Sequence, residues 1–355
     1  MRESNSGLTA LERRLGADWQ HLRKAKVLAE AKRKELTKEL RELTTDDTSI
    51  VVFGSLARDE FTEGSDIDWT LLVDGAADPR HLDQAKEIEA VVQRLAKKGV
   101  GREGTFGKLA FSHDVVHQIG GQSDSNQNTT RRILLLLESM AVGRTEAYER
   151  VVNSVLSRYV LEDRGFLAGS ADHHIPRFLL NDFARYWWTM AVDFAYKHRT
   201  RFGEGAAIRN LKLRMSRKLI YVSGMLTCFS CHLDATPCSG GASVRDAARA
   251  PECIQCLRAK LQLTPLEVIA GTFLRYPHLD STALELLSAY NDFLGILSSA
   301  KSRSKLEKLG EAEYEQDRTY QKARKLSHHF RDALVKLFFD DRSGISDLTK
   351  IYGVF

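Results

Sequence analysis

Asp66 and Asp68, in the segment Ser65-Asp66-Ile67-Asp68-Trp69, are the residues whose spacing speaks most directly of chemistry. On an extended strand, side chains at i and i+2 point to one face. The two carboxylates would then stand together and repel one another unless a cation sits between them. Mg²⁺ takes hard oxygen ligands of this kind and keeps positions for phosphate oxygens. About ten residues earlier the chain reads Phe53-Gly54-Ser55-Leu56-Ala57-Arg58-Asp59-Glu60. A glycine at the end of a strand lets a phosphate approach the backbone closely. Ser55, opening a helix towards Glu60, would offer a hydroxyl and an N–H at a positive helix terminus. Together these parts make a site for metal-assisted transfer of a nucleotidyl group. An isolated Asp-x-Asp is most often a pair of solvated carboxylates. The ordered combination of strand, Gly-Ser, helix, short loop and Ser-Asp-x-Asp is what makes the reading specific.

The elements that must hold these residues are legible as hydrophobic patterns. Ser49-Ile50-Val51-Val52-Phe53 is a β-branched run and reads as a buried strand. Residues 66–73 read as a second strand closed by Asp74-Gly75, and Leu109 to Ile119 as a third, ended by Gly120-Gly121. Residues 8–44 have helical spacing, and 78–98 form an amphipathic helix entered at Asp78-Pro79. Beyond residue 125 helical spacing takes over, through 131–142, 144–161, 176–200, 206–226, 264–274, 282–300 and 305–338, and no strand is expected there. The expectation is an α+β protein: a small mixed sheet with flanking helices over 1–125, then an all-helical domain over 126–355.

Composition bounds this reading without deciding it. The chain has 355 residues, 43% of them hydrophobic and 28% charged, an ordinary globular balance that argues against disorder or a fibrous repeat. The length suits two domains. The net charge of +5 permits anionic ligands without demanding them. No run is apolar enough to span a membrane, and Met1 to Leu11 lacks the apolar stretch of a secretory signal, so a cytoplasmic location is expected.

The segment Gly54-Ser55-Leu56-Ala57-Arg58-Asp59-Glu60 followed by Ser65-Asp66-Ile67-Asp68 resembles the signature of the polymerase-beta-like nucleotidyltransferase superfamily. Its wording is similar to bacterial branches: the minimal nucleotidyltransferases of toxin–antitoxin pairs, aminoglycoside adenylyltransferases, and the nucleotidyltransferase domain of the PII-uridylyltransferase family. The match is strong over some 25 residues and extends plausibly over the first 130 or so. Leu134 to Gly143 faintly resembles the helix after the core in PII-uridylyltransferase-like proteins. The resemblance implies a two-metal mechanism, with Asp66 and Asp68 binding two Mg²⁺ ions and the triphosphate, and Gly54, Ser55 and Arg58 on the nucleotide. A third carboxylate on a later strand would complete the metal site and activate the acceptor hydroxyl. Asp114, in Phe111-Ser112-His113-Asp114-Val115-Val116-His117, is the candidate, and Asp124 its rival. His113 and His117 read as packed or hydrogen-bonded rings. The implied reaction moves an NMP group, AMP favoured, from an NTP to an acceptor hydroxyl with release of pyrophosphate. The acceptor stays open between a protein, an RNA end, an aminoglycoside-like molecule and a second nucleotide, as in oligonucleotide or second-messenger synthesis. A non-catalytic nucleotide sensor is the competing class.

Three other constellations carry information. Arg209 to Lys218 is the densest basic run, and by the resemblance Lys212, Ser216 and Lys218 are candidates to finish the triphosphate pocket; the plain alternative is a solvated basic face. Cys228, Cys231, Cys253 and Cys256 form two C-x₂-C pairs with the spacing of a structural Zn²⁺ site in an insertion over 228–256, with Cys238 and His232 spare. Cys228 and Cys231 also continue an apolar helical run and could simply be buried. The aromatic helix at 177–199 reads as core, with Arg185 and Asp193 needing partners. The charged segment 301–329 reads as a solvated helix, or else as a docking surface for RNA or a protein.

Overall fold

The computed structural model of the chain describes residues 6–96, 107–167, 174–201, 203–234, 250–340 and 342–353. In chain order its elements begin with α1 (Gly7–Leu15), α2 (Gln20–Leu40), β1 (Thr48–Phe53), β2 (Asp68–Val73), α3 (Arg80–Leu95), β3 (Leu109–Phe111) and α4 (Ser112–Val116). Then come α5 (Asn126–Leu137), β4 (Ser139–Val142), α6 (Glu146–Glu162), α7 (Arg164–Leu167) and α8 (Arg177–Thr200). The remainder is helical: α9 (Ala206–Lys212), α10 (Lys218–Leu233), α11 (Ala250–Leu261), α12 (Pro265–Arg275), α13 (Asp280–Ser298), α14 (Ala300–Lys308), α15 (Arg318–Val335) and α16 (Ile345–Leu348). This is the α+β class expected from the sequence. The compact units, however, divide the chain differently from 1–125 and 126–355. One comprises Ala25–Tyr186 with Ser230–Thr264, and the other Met1–Lys24, Trp187–Phe229 and Pro265–Phe355.

The first unit is built on a four-stranded mixed sheet in the order β3-β2-β1-β4. β1 is central and pairs antiparallel with both β2 and β4, while β2 and β3 run parallel. Every residue of β1 is buried, as the β-branched run predicts for a strand covered on both faces. Ile50 and Val52 lie opposite Leu71 and Trp69 across the register. They share a buried cluster with Leu36 and Leu40 of α2 and Ile88 and Val92 of α3, so these two helices cover one face. On the other face, Ser49 Oγ accepts a hydrogen bond of 3.1 Å from the backbone N–H of Tyr148 in α6. The buried hydroxyl thereby anchors the covering helix instead of standing unpaired.

Several expectations need correcting. β4 is a strand beyond residue 125, paired with β1 over Ile50 to Phe53. The third strand stops at Phe111, and the chain turns directly into α4. Gly54–Leu56 is a single 3₁₀ turn, not the start of an α-helix running to Glu60. Helix α3 begins at Arg80, with Pro79 as the residue before it, two residues later than the expected start at Asp78. Asp78 accepts a hydrogen bond from the backbone N–H of Arg80 and pairs with its guanidinium, and these bonds hold its carboxyl down at about 2.

The second unit is helical. Helices α13 and α15 pack against one another, with Tyr290 and Phe330 in ring contact at 5.7 Å. The charged segment 301–329 is thus not simply solvated: α15 buries Tyr320, Ala323 and Phe330 on one side. The first residues of the chain belong here too. Ser6 Oγ donates to Glu267 at 2.6 Å, and the Leu8 N–H donates to the same carboxylate at 3.1 Å. Trp19 donates its indole N–H to Ser288 at 3.1 Å.

Candidate active site

The register of the sheet brings three chain segments to one of its ends. Phe53, the last residue of β1, lies opposite both Asp68, which opens β2, and Ser139, which opens β4. Gly54 and Ser55 leave β1 there, Asp66 and Asp68 enter β2 there, and Glu138 and Ser139 enter β4 there. Asp68 Oδ2 stands 3.4 Å from where a Cβ on Gly54 would lie. Gly54 has φ +69°, a left-handed conformation that side chains with a Cβ adopt only at a cost. The glycine therefore serves the turn of the chain, and a Cβ there would stand in ordinary van der Waals contact with Asp68.

Asp66 sits in the loop just before β2 and not on the strand itself. The expected alternation still holds, since Ile67 and Trp69 are buried and Asp66 and Asp68 are half-exposed. A turn fixes this loop: Ser65 Oγ accepts from the Thr62 N–H at 3.1 Å and bonds to Thr62 Oγ1 at 3.0 Å, and the Ser65 N–H reaches Thr62 O at 2.9 Å. Ser55 is half-exposed in the facing turn, which is closed by the Ala57 and Arg58 N–H groups on Gly54 O. Thr70, next after Asp68 on its face, is buried, and its hydroxyl has no hydrogen-bond partner among the described residues.

Arg58 is not free to take a phosphate. It is buried, and its guanidinium donates to Glu60 Oε2 through Nε at 3.1 Å and Nη2 at 2.8 Å, and to Glu138 through Nη1. This triad ties the turn after Gly54 to the start of β4. Glu60 Oε1 is buried with no hydrogen-bond partner among the described residues. Asp59 follows Arg58 at φ +61° and forms an ion pair of 2.7 Å with Arg33. Burial, outweighing Arg33, raises the Asp59 carboxyl above its usual range.

Asp114 is set apart from Asp66 and Asp68. It lies in the first turn of α4, past the end of β3, and not on the third strand. β3 runs parallel to β2 and pairs with Leu71 to Val73, the far end from Asp68. At about 3.3 Å per residue, the five steps from Asp68 to Val73 span about 17 Å. Asp114 instead supports the charge of Arg131, whose guanidinium burial pulls down. Asp124, the rival, is bound by Arg132 through two hydrogen bonds of 2.8 Å and paired with Arg185 at 3.4 Å. Although burial opposes it, these bonds hold the Asp124 carboxyl below its usual range. Arg185 also pairs with Asp182, and Asp193 pairs with Lys197. His113 and His117 face each other across one turn of α4, ring centroids 5.0 Å apart.

Lys212, Ser216 and Lys218 lie in the helical unit. Lys212 ends α9, Ser216 lies in a π-helical segment over Leu213–Arg217, and Lys218 opens α10. Ser216 is buried and accepts a hydrogen bond of 3.1 Å from Tyr290. Cys228 and Cys231 lie within α10, and Cys253 and Cys256 within α11. The first three are buried, and burial pushes the Cys228 thiol up. Cys238 lies outside the described residues. Among the described residues no group of three or more His, Cys, Asp or Glu is placed to hold a metal ion, so the four-cysteine zinc site finds no support. Glu138 is the site-end residue that the sequence reading missed. Its signal was a carboxylate closing the apolar run Leu134 to Leu137, which needs a partner when buried.

No curated protein and no solved structure matches the chain. Residues 33–100 match the family model described as "Nucleotidyltransferase domain". The matched stretch runs from the second half of α2 through β1, the Gly54 turn, Asp66, Asp68 and β2 to α3. Residues 33–100 thus carry a nucleotidyltransferase domain, consistent with the polymerase-beta-like superfamily that the motif resembles, and this domain supports a transferase of phosphorus-containing groups.

Proposed function

We propose that this nucleotidyltransferase transfers an NMP group, with ATP the favoured donor, to an acceptor hydroxyl, with Asp66 and Asp68 holding Mg²⁺ at the end of the sheet. The observation that carries the reading is the meeting of Gly54 and Asp68 across the register, with Asp66 on the same half-exposed side. The residues fit a divalent cation: the donors are hard carboxylate oxygens, one residue apart in alternation, beside the Gly54 turn. Bound there, Mg²⁺ would neutralise charge on the triphosphate and the departing pyrophosphate. The remaining coordination falls to water and phosphate oxygens. The chain's own part is positioning. The Gly54 turn lets the phosphates approach the backbone, the Ser55 hydroxyl and N–H bind and orient them, and the two carboxylates stand on the side from which the cation must be held. Arg58 acts behind this surface, bracing the turn through Glu60 and Glu138. The acceptor is open between a protein side chain, an RNA end, a small hydroxylated molecule and a second nucleotide.

The test is pyrophosphate release from each labelled NTP, with cell lysate supplying acceptors, with and without Mg²⁺. The wild type is expected to transfer label, and Asp66→Asn and Asp68→Asn to lose at least about a hundredfold in rate, as removal of a transition-state charge stabiliser does. Equal rates in wild type and both variants across all acceptor fractions would overturn the proposal.

A further inference from the structure

A cavity of about 300 Å³ lies within the helical unit, between α8, α10, α15 and the segment after α15. Its apolar lining includes Trp187, Tyr221, Met225 and Phe338, and among the described residues its charged lining residues are Lys218 and Arg331. The Trp187 and Tyr221 rings stack with centroids 5.5 Å apart and planes 14° from parallel. Lys218 Nζ stands 5.9 Å from the centre of the Trp187 ring.

The charge balance of this cavity is incomplete. Arg331 pairs with Asp332 at 2.7 Å, whereas Lys218 is half-buried and no carboxylate lies within ion-pair distance among the described residues. Burial, then Arg214 and Arg331, push its ammonium below the usual lysine range. The Tyr221 hydroxyl likewise makes no hydrogen bond among the described residues. A desolvated cation beside guanidinium groups is costly without a counter-charge, and an anion in the cavity would supply it. The volume is at the low end for small-molecule sites, which suits a one- or two-ring acid better than a nucleoside triphosphate.

We propose that this cavity binds a small organic anion with a flat aromatic body, its charged head on Lys218 and its ring among Trp187, Tyr221 and Phe338. The test is calorimetric titration of the full chain with 2-naphthoate and with its neutral counterpart 2-naphthalenemethanol. Saturable one-to-one binding of the acid is expected, with the alcohol roughly tenfold weaker, the size of one charge-assisted hydrogen bond. Lys218→Met should bring the acid down to the level of the alcohol, and Lys218→Arg should retain most of the difference. Absence of saturable binding, equal affinity for acid and alcohol in the wild type, or unchanged acid binding in a natively folded Lys218→Met would each overturn the proposal. Competitive displacement of the acid by ATP would assign the cavity to the nucleotide and overturn it as well. Because the acid-to-alcohol comparison uses the wild type alone, the test stands even if Lys218→Met fails to fold.

Discussion

Replacing Arg58 by methionine should unfold the sheet end more than any single substitution of the exposed site residues. The methionine keeps most of the volume and removes the charge. Glu60 and Glu138, with side chains 1% and 2% exposed, then lose the guanidinium that joins them in the interior. Breaking a buried ion pair by removing one partner costs about 3–5 kcal/mol. For a folding unit of this size, each kcal/mol shifts Tm by about 2–4 °C, so a fall of roughly 6–20 °C is expected. The pH dependence identifies the cause. Two buried carboxylates without a cation keep a proton in the folded state that they release on unfolding at neutral pH. The folded variant then binds more protons than the unfolded chain, so its stability falls as pH rises. The deficit relative to wild type should be largest near pH 8 and shrink towards pH 5. Urea unfolding followed by circular dichroism at several pH values measures it. The triple variant Arg58→Met/Glu60→Gln/Glu138→Gln, which removes both stranded charges, should recover part of the loss. A deficit under about 1 kcal/mol, flat across this pH range, would refute the view that Arg58 is a buried brace and return it to the candidates for phosphate binding.

Gly54→Ala should cost about 1–2 kcal/mol from the left-handed backbone alone, read as a lower urea midpoint, and should slow transfer because the turn that presents Ser55 is strained. Asp114→Asn should leave the transfer rate within a few-fold of wild type; a loss of a hundredfold or more would restore it as the third carboxylate. Asp59, whose carboxyl is raised by burial in the folded state, contributes stability that is present at low pH and lost as pH climbs through the carboxylate range. Asp59→Asn, tolerated at positive φ, should therefore gain stability relative to wild type between pH 3 and pH 6, and a constant difference across that range would count against the burial.

What the sequence made legible was local. The β-branched run before Gly54 and the alternation around Ile67 depend on neighbours a few residues away, and both appear in β1 and at the start of β2. What it hid depended on distant pairing. Arg58 reads as a nucleotide-binding cation until Glu138, eighty residues on, is known to close over it. Asp114 follows an apolar stretch that reads as strand, and Val115-Val116 would suit one. Only the parallel register of β3 with β2 shows that the stretch ends at Phe111 and lies at the wrong end of the sheet. β4 escaped notice because Ser139-Met140-Ala141-Val142 is short and follows an apolar helix without a break. The cysteines illustrate an ambiguity of spacing: C-x₂-C is a knuckle in a turn, but the same interval places two thiols along one side of a helix, which is where α10 and α11 put them.

The placement of α1 has a consequence for synthesis of the chain. Ser6, Trp19 and His21 find their partners at Glu267, Ser288 and Asn291, separations of 261 to 270 residues. At about 5–20 residues per second, the ribosome needs roughly 15–55 s after making the first helix before it delivers the surface on which that helix rests. Throughout this interval Leu11, Trp19 and Leu22, all buried in the finished protein, stay unmatched while the sheet-bearing unit emerges. The sheet-bearing unit is thus the earlier of the two to have most of its sequence in hand, and the α1 segment waits longest for its partner surface.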